Sequence, residues 1–405
     1  MESTPAVDDL MFSTEHAEFR AVIRRLVEEH LNPFIDEWEA AGTFPAHEVF
    51  PKFGAVGALG LEYPASVGGQ DADHSFTVVL AEELGRCDAG GPTTALAVQV
   101  AMATPALARF GTPELQQRFL APAIAGTAVG AVAVSEPEAG SDVASIRTKA
   151  VRDGDDWIIN GRKMWITNGA QADWVCLLAR TSGDGGHRGM SLIIVPTKTA
   201  GFSAGRTIAK LGQHSSDSAE LVFDDVRVPI SHTVGAEGNG FVMQMAQFQD
   251  ERLFIAYLAA AGARRALDRT AGYLAQRMAF GEPLLANRYL QYSLAELVAE
   301  VDLLRGFLRH TAARYVAGQN VTREATIAKL KAGRLSRQVA DVCLQFHGGM
   351  GYAEEMWTAR YYRDSRATAI AGGADEVMLR VIAQLEGYER LLRVGEHAAD
   401  SGERA

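Results

Sequence analysis

Four stretches of this 405-residue chain hold residue types that could do chemistry. The first runs Val134, Ser135, Glu136, Pro137, Glu138, Ala139, Gly140, Ser141, Asp142. Gly140 permits close backbone approach, and Ser135 and Ser141 offer hydroxyls to a polar cofactor or a phosphate. The same Gly-Ser stretch is also an ordinary turn. The second is Lys163-Met164-Trp165-Ile166-Thr167-Asn168-Gly169. Trp165 and Thr167 could flank an aromatic ring and hydrogen-bond to it, or Trp165 could be plain core. The third is Gln345-Phe346-His347-Gly348-Gly349-Met350-Gly351-Tyr352, followed by Arg360 and Asp364. Glycines after a helix either admit a phosphate or end the helix. No strand precedes them, so they are not a dinucleotide fingerprint. His347 alone reads as a satisfied structural histidine.

The fourth is a single carboxylate. Gln244, Gln247, Phe248, Glu251, Phe254, Ile255 and Leu258 recur at helical spacings of three, four and seven, so they share one face. That stripe is largely apolar, which would turn Glu251 inward. Burial against apolar groups raises a carboxyl's pKa toward the working range of a general base. Glu251 could equally form an ordinary ion pair with Arg252 or another helix neighbour. Asp250 sits about 100° away around the helix. No HExxH motif or clustered His/Cys spacing suggests a metal site.

Elements that could position these groups follow from the hydrophobic pattern. Residues 13–124 read as helical: Phe19, Val22, Ile23, Leu26 and Val27 recur at spacings of three and four. From 126 to 229 the pattern turns to short strands around Trp157, Trp174, Ser191 and Glu220. Asp153-Gly154 and Asn160-Gly161 are hairpin-type dipeptides, and 181–189 is an exposed loop. Short strands with frequent turns suggest a small barrel or sandwich. Four amphipathic helices are expected over 240–280, 284–317, 322–346 and 373–389, packed as an antiparallel bundle. The fold class is therefore α+β: an N-terminal helical domain (1–125), a central β-barrel or sandwich domain (126–235) and a C-terminal four-helix bundle (236–405). The polar tail 396–405 is expected to fray.

Composition narrows the function. Hydrophobic residues are 47% and charged residues 22%, ordinary globular values that exclude wholesale disorder. A net charge of −11 argues against nucleic acid or an anionic membrane as the main partner. Cys87, Cys176 and Cys343 are sparse and form no CxxC pair, which fits a reducing cytoplasm. The first ten residues carry acids and no apolar stretch, so no secretory signal is expected. No uncharged apolar run approaches 18 residues, so no membrane span is expected either.

The order and spacing of these motifs resemble the acyl-CoA dehydrogenases, flavoproteins that desaturate acyl thioesters. Residues 133–145 fit the first family signature and 345–364 the second. Between them lie Trp165-Ile166-Thr167, the run Phe223-Asp224-Asp225-Val226-Arg227-Val228-Pro229 and the run Arg277-Met278-Ala279-Phe280-Gly281. The resemblance covers roughly residues 12–386. It implies FAD as cofactor, a helix–sheet–helix fold, assembly as a homotetramer or dimer, and an electron-transferring flavoprotein as acceptor. It implies that Val132, Val134, Ser135, Gly140 and Ser141 line the flavin, and that Trp165, Ile166 and Thr167 cover its ring system. Arg277, Phe280, Gln345, Phe346, Gly348 and Gly349 would reach the FAD of a neighbouring subunit. Gly373 and Asp375 fall at flavin-contact positions, although Thr and Gln or Glu are common there. Ser141, Phe248, Arg252, Ala371 and Gly372 would meet the substrate.

The resemblance also locates the base. Many members carry it as Glu in a Tyr-Glu-Gly-Thr stretch. Here that stretch is Ile370-Ala371-Gly372-Gly373, and Ala371 cannot take a proton. Isovaleryl-type and long-chain-type members carry it on the long bundle helix, where this chain has Gln249-Asp250-Glu251-Arg252-Leu253. Glu251 is thus the expected base, with the Ala371 N–H left to serve the enolate oxygen. The surrounding runs look closest to the citronellyl-CoA type, implying a branched or medium-to-long acyl chain. Other readings are a carrier-protein-dependent dehydrogenase or oxidase, a flavin monooxygenase on the same fold, and a flavin-free assembly protein.

Overall fold

A computed structural model describes residues 11–388. The expected tail 396–405 and the first ten residues lie outside the described residues. Eight helices open the chain: α1 (Thr14–His30), α2 (Ile35–Ala41), α3 (Ala46–Gly54), α4 (His74–Leu84), α5 (Gly90–Val98), α6 (Pro105–Phe110), α7 (Pro113–Leu115) and α8 (Ala121–Ile124). Wide π-type turns at Gln99–Ala103 and Gln116–Leu120 extend α5 and α7. Asp73 caps α4, its carboxylate accepting from the Ser75 N–H at 2.8 Å.

The strands follow: β1 (Gly130–Ala133), β2 (Lys149–Asp153), β3 (Asp156–Thr167), β4 (Trp174–Arg180), β5 (Met190–Pro196), β6 (Phe202–Thr207), β7 (Ser218–Pro229) and β8 (Thr233–Val234). They form one sheet in the order β6-β7-β3-β2-β4-β5-β8, with β1 alongside β4 in parallel. The path ends on β6 and β8 without closing, so the expected barrel is an open sheet. The apolar run Trp174–Leu178 explains its two covered faces. Trp174, Cys176 and Leu178 belong to the core shared with the helices, while Val175, Leu177 and Ala179 belong to the sheet's own core.

Asp153-Gly154 makes the expected hairpin between β2 and β3. Asn160-Gly161 does not turn. Strand β3 runs straight through it, and the irregularity lies opposite, where β7 carries an extra residue between Phe223 and Val226. The Asn160 side chain caps that bulge: its Oδ1 accepts from Asp225 N–H at 3.0 Å, and its Nδ2 donates to Asp225 Oδ1 at 2.9 Å.

The last third is α9 (Gly240–Gln276), a short hairpin of β9 (Met278–Ala279) and β10 (Glu282–Pro283), then α10 (Arg288–Val316), α11 (Thr322–Phe346), α12 (Trp357–Ser365) and α13 (Asp375–Leu385). Four of these match the expected helices, but the first ends at Gln276 and the chain turns back as a hairpin with Phe280 at its tip. The 37-residue α9 packs on α4, α10 and α11 and reaches the sheet through β5. One helix therefore holds both halves of the molecule together.

Candidate active site

The platform expected to face a flavin is built by β1, its following loop and the end of β3. Between Lys163 and Ile166, β3 carries one more residue than β7. The bulge puts Trp165 at φ 66° and turns its indole outward, 56% exposed, while Ile166 beside it stays buried. Thr167 is half-buried two residues on. The Met164 N–H donates to Ser135 O at 2.9 Å, tying the bulge to the 134–141 loop. In that loop Val134 is buried, Ser135 and Val132 are half-buried, and Gly140 and Ser141 are exposed.

A buried ion pair fixes this platform from beneath. Lys163 Nζ donates to Val134 O at 2.8 Å and to Glu136 Oε1 at 2.9 Å. The Glu136 carboxylate also accepts from the N–H groups of Arg147 and Thr148 at 2.7 and 2.9 Å. Burial opposes ionisation of Glu136, but Lys163 and these donors outweigh it and hold its carboxyl below the usual range. Burial pulls the Lys163 ammonium down to about 8. Sequence reasoning passed over this pair. Its signal was the period of β3: Trp157 and Ile159 point inward, so Lys163 does too.

Glu251 lies in the middle of α9, 7% exposed. Its carboxyl rests on the turn after α12: a Cβ placed on Gly372 would sit 3.0 Å from Glu251 Oε1 and 2.9 Å from Ile255 Cδ1. Among the described residues Glu251 forms no salt bridge. Burial pushes its carboxyl up to about 7, while the nearby charges of Arg252 and Lys329 pull the other way. The ion-pair alternative thus belongs to its neighbour. Asp250 pairs with Arg109 at 2.8 Å and accepts from the Tyr315 hydroxyl at 2.6 Å. A cavity of about 200 Å³ lined by Asp250, Phe254, His74 and Arg109 borders that pair.

Around Glu251, Phe248 is half-buried one turn earlier, and Arg252 lies 5.9 Å above its ring. Arg252 donates to Thr326 Oγ1 at 3.5 Å, and its Nε has no partner among the described residues. Ala371 is exposed, but its N–H donates to Ala367 O at 2.9 Å. The donor expected to meet a thioester oxygen is therefore engaged within its own turn. The next N–H, of Gly372, has no acceptor among the described residues. Gly373 has φ 102°, a conformation that strains any L side chain, so a Thr would be disfavoured here by the backbone, while the nearby Met378 tip could shift. Asp375 has its Oδ2 among arginines, while its Oδ1 has no hydrogen-bond partner among the described residues. It is buried against Arg337 at 3.1 Å and Arg334 at 3.7 Å.

The remaining expected residues face outward. Arg277 is exposed, and Phe280 is fully exposed at φ 55°. Gln345, Gly348 and Gly349 are exposed, while Phe346 packs edge-on to Tyr289. His347 is structural, as expected: its Nδ1 bonds to Cys343 O at 2.7 Å and its ring stacks on Tyr273. Asp364 accepts from the Gly90 N–H at 2.8 Å, tying α12 to α5. A cleft of about 1270 Å³ lined by Trp38, Lys52, Gln171, Lys210 and Asp217 contains none of these residues.

The arrangement is a helix–sheet–helix scaffold presenting an outward indole platform and a buried carboxyl that forms no salt bridge among the described residues. Three family models match it in succession: the acyl-CoA dehydrogenase N-terminal domain over residues 13–127, the middle domain over 131–226 and the C-terminal domain over 238–385. The chain is 37% identical to the long-chain specific acyl-CoA dehydrogenase, mitochondrial, of Rattus norvegicus, over 92% of this chain and 87% of that protein. It superposes on an acyl-CoA dehydrogenase from Geobacillus kaustophilus with a TM-score of 0.89 at 37% identity, covering 92% and 98% of the two chains. It superposes on a glutaryl-CoA dehydrogenase from Mycobacterium smegmatis in complex with FADH2 with a TM-score of 0.88 at 29% identity, covering 94% and 97%. The chain belongs to the acyl-CoA dehydrogenase family. It is an oxidoreductase of acyl-CoA thioesters, and its family is FAD-dependent. The Trp165 platform suits such a group: a strained bulge exposes a large aromatic face that a flat ring system would cover.

Proposed function

We propose that this protein desaturates a branched or medium-to-long acyl-CoA, with Glu251 removing the α-proton. The observation that carries the reading is the Glu251 carboxyl, buried without a salt bridge against Gly372, in a chain whose alternative position is Ala371. A base must be ionised near neutral pH yet hold the proton it takes. A carboxyl raised to about 7 meets both needs. Bound FAD would supply the acceptor for the β-hydride.

The chain's own residues do the rest. The half-buried Phe248 and the buried Arg252 would flank the thioester, and Ser141 would meet the CoA portion. The Gly372 N–H is the backbone donor left for the carbonyl oxygen as negative charge develops there. Trp165, Ile166 and Thr167 would hold the flavin ring against Val132, Val134, Ser135 and Gly140. Arg277 with Phe280, and Gln345 with Phe346, Gly348 and Gly349, would reach the FAD of another copy in a homotetramer. A guanidinium suits that role because it binds a pyrophosphate bidentately. Electrons would leave to an electron-transferring flavoprotein in the cytoplasm. The similarity to the long-chain enzyme supports the longer-chain reading. The citronellyl-like motifs support a methyl branch.

Anaerobic mixing of Glu251→Gln with good acyl-CoA substrates tests this. FAD and fold should persist, while flavin bleaching slows by about 10²–10⁴-fold, the usual worth of a positioned base. Bleaching at the wild-type rate would exclude Glu251. Ala371→Glu in that background should restore part of the rate. The same panel run with carrier-protein thioesters separates the biosynthetic alternative.

A further inference from the structure

Lys329 is a fully buried ammonium at the point where three elements meet. It projects from α11, and its Nζ donates to the carbonyl of Gly373 in the turn that carries Gly372. That turn lies against the Glu251 carboxyl, as the 3.0 Å approach to a Cβ on Gly372 shows. Thr326, which accepts from Arg252, lies one turn earlier on α11. Arg252 from α9 and Lys329 from α11 therefore both bear on Glu251. On the outer side, Asp375 and Glu376 at the start of α13 act on Lys329, and Asp375 is itself held by Arg334 and Arg337.

Burying an ammonium costs several kcal/mol unless its surroundings compensate. An apolar side chain of the same length would fill the space without that cost. Gly372 and Gly373 both have positive φ, and the Lys329 side chain ties their turn to α11. Resting on the reading of Glu251 as base, we propose that Lys329 is a positioning residue of the reaction: it clamps the Gly372–Gly373 turn against Glu251 and supplies positive charge that keeps this carboxyl ionisable inside an apolar site. The first part acts through geometry, the second through Coulomb attraction in a medium less polarisable than water.

The charge balance gives the sign. A cation beside a carboxyl favours its ionised form. Removing Lys329 leaves burial opposed by Arg252 alone, so Glu251 should hold its proton to higher pH. Lys329 is itself lowered to about 8 by burial, so it stays charged where Glu251 titrates at about 7.

The test uses the FAD-loaded enzyme and the Lys329→Met and Lys329→Arg variants. Infrared difference titration follows the Glu251 carboxyl band, identified by its absence in Glu251→Gln. Anaerobic flavin bleaching by an acyl-CoA is followed against pH in parallel. Lys329→Met should move the band's titration midpoint up by about one pH unit or more, and the acid limb of bleaching should move with it. Lys329→Arg should return both toward wild type. An unmoved band in Lys329→Met would overturn the proposal. A band that moves while the acid limb stays still would refute Glu251 as base and, with it, the catalytic role given to Lys329. Should Lys329→Met fail to fold, the wild-type protein decides. Its Glu251 carboxylate band should sense a second ionisation near pH 8 as Lys329 loses its proton, and a band blind to that step would overturn the proposal.

Discussion

The carboxyl of Glu251 lies so close to Gly372 that even a methyl group there would crowd it. A methyl on Gly372 would meet Oε1 at 3.0 Å and Ile255 Cδ1 at 2.9 Å, and φ there is 66°. Gly372→Ala should therefore fold with a loss of about 1–2 kcal/mol from the left-handed backbone. Its larger effect should be on rate. Displacing the base by about 1 Å costs on the order of 10²-fold. Stopped-flow anaerobic bleaching at saturating acyl-CoA measures this. An unchanged rate would mean that the carboxyl need not sit where it does.

The pH dependence follows from the same carboxyl. Burial raises Glu251 from 4.5 to about 7. A base works only when ionised, so flavin reduction should rise with pH and level off above about 7. Stability should run the opposite way. The unfolded carboxyl ionises first, so the native state loses stability as pH rises from about 4.5 through 7, by up to about 3 kcal/mol. Glu251→Gln removes that loss. It should be more stable than wild type at about pH 8, with the gap shrinking below about pH 5. Urea denaturation at the two pH values checks the sign.

The proposed flavin platform rests on a buried ion pair. Lys163 bridges Glu136 and the Val134 carbonyl, and both side chains are buried. Glu136→Gln leaves an ammonium buried without its counter-ion and should cost about 3–5 kcal/mol. FAD should also be held more weakly, because the 134–141 loop loses its anchor. Chemical denaturation and cofactor release on dilution measure the two effects. Full stability with full FAD retention would show the pair to be dispensable.

Phe280 stands fully exposed at the tip of a two-stranded hairpin, with Met278 also exposed nearby. In the homotetramer proposed above, a second copy of the chain would cover this ring. Phe280→Ser should lower the assembly state and FAD content together, as read by analytical ultracentrifugation and flavin absorbance. A tetramer with full flavin would assign the hairpin another purpose.

Much of this was legible in the sequence because it follows from period and composition. The stripe containing Phe248, Glu251 and Ile255 placed the carboxylate inward before any coordinates. The β-rich run at Trp174–Leu178 marked a strand. What escaped depends on partners distant in sequence. Lys163 finds Glu136 across 27 residues, and Lys329 finds Gly373 across 44. Strand period turns Lys163 inward, but nothing local names its partner, and nothing local marks Lys329 as different from a solvated lysine. Asn160-Gly161 misled because its side chain caps a bulge on a strand 65 residues away. The contacts of Asp375 with arginines of α11, and of the Ala371 N–H with the Ala367 carbonyl, were likewise not legible, because they depend on how the turn after α12 folds.

The central claim, that Glu251 takes the α-proton, is tested most directly by following that proton alone. An acyl-CoA analogue with sulfur in place of the β-carbon cannot yield a hydride, yet its α-hydrogens remain acidic. Incubated with the FAD-loaded enzyme in deuterated buffer, it should exchange an α-hydrogen, visible by proton NMR, and Glu251→Gln should reduce that exchange by about 10² or more. Exchange at the wild-type rate in Glu251→Gln would contradict the account.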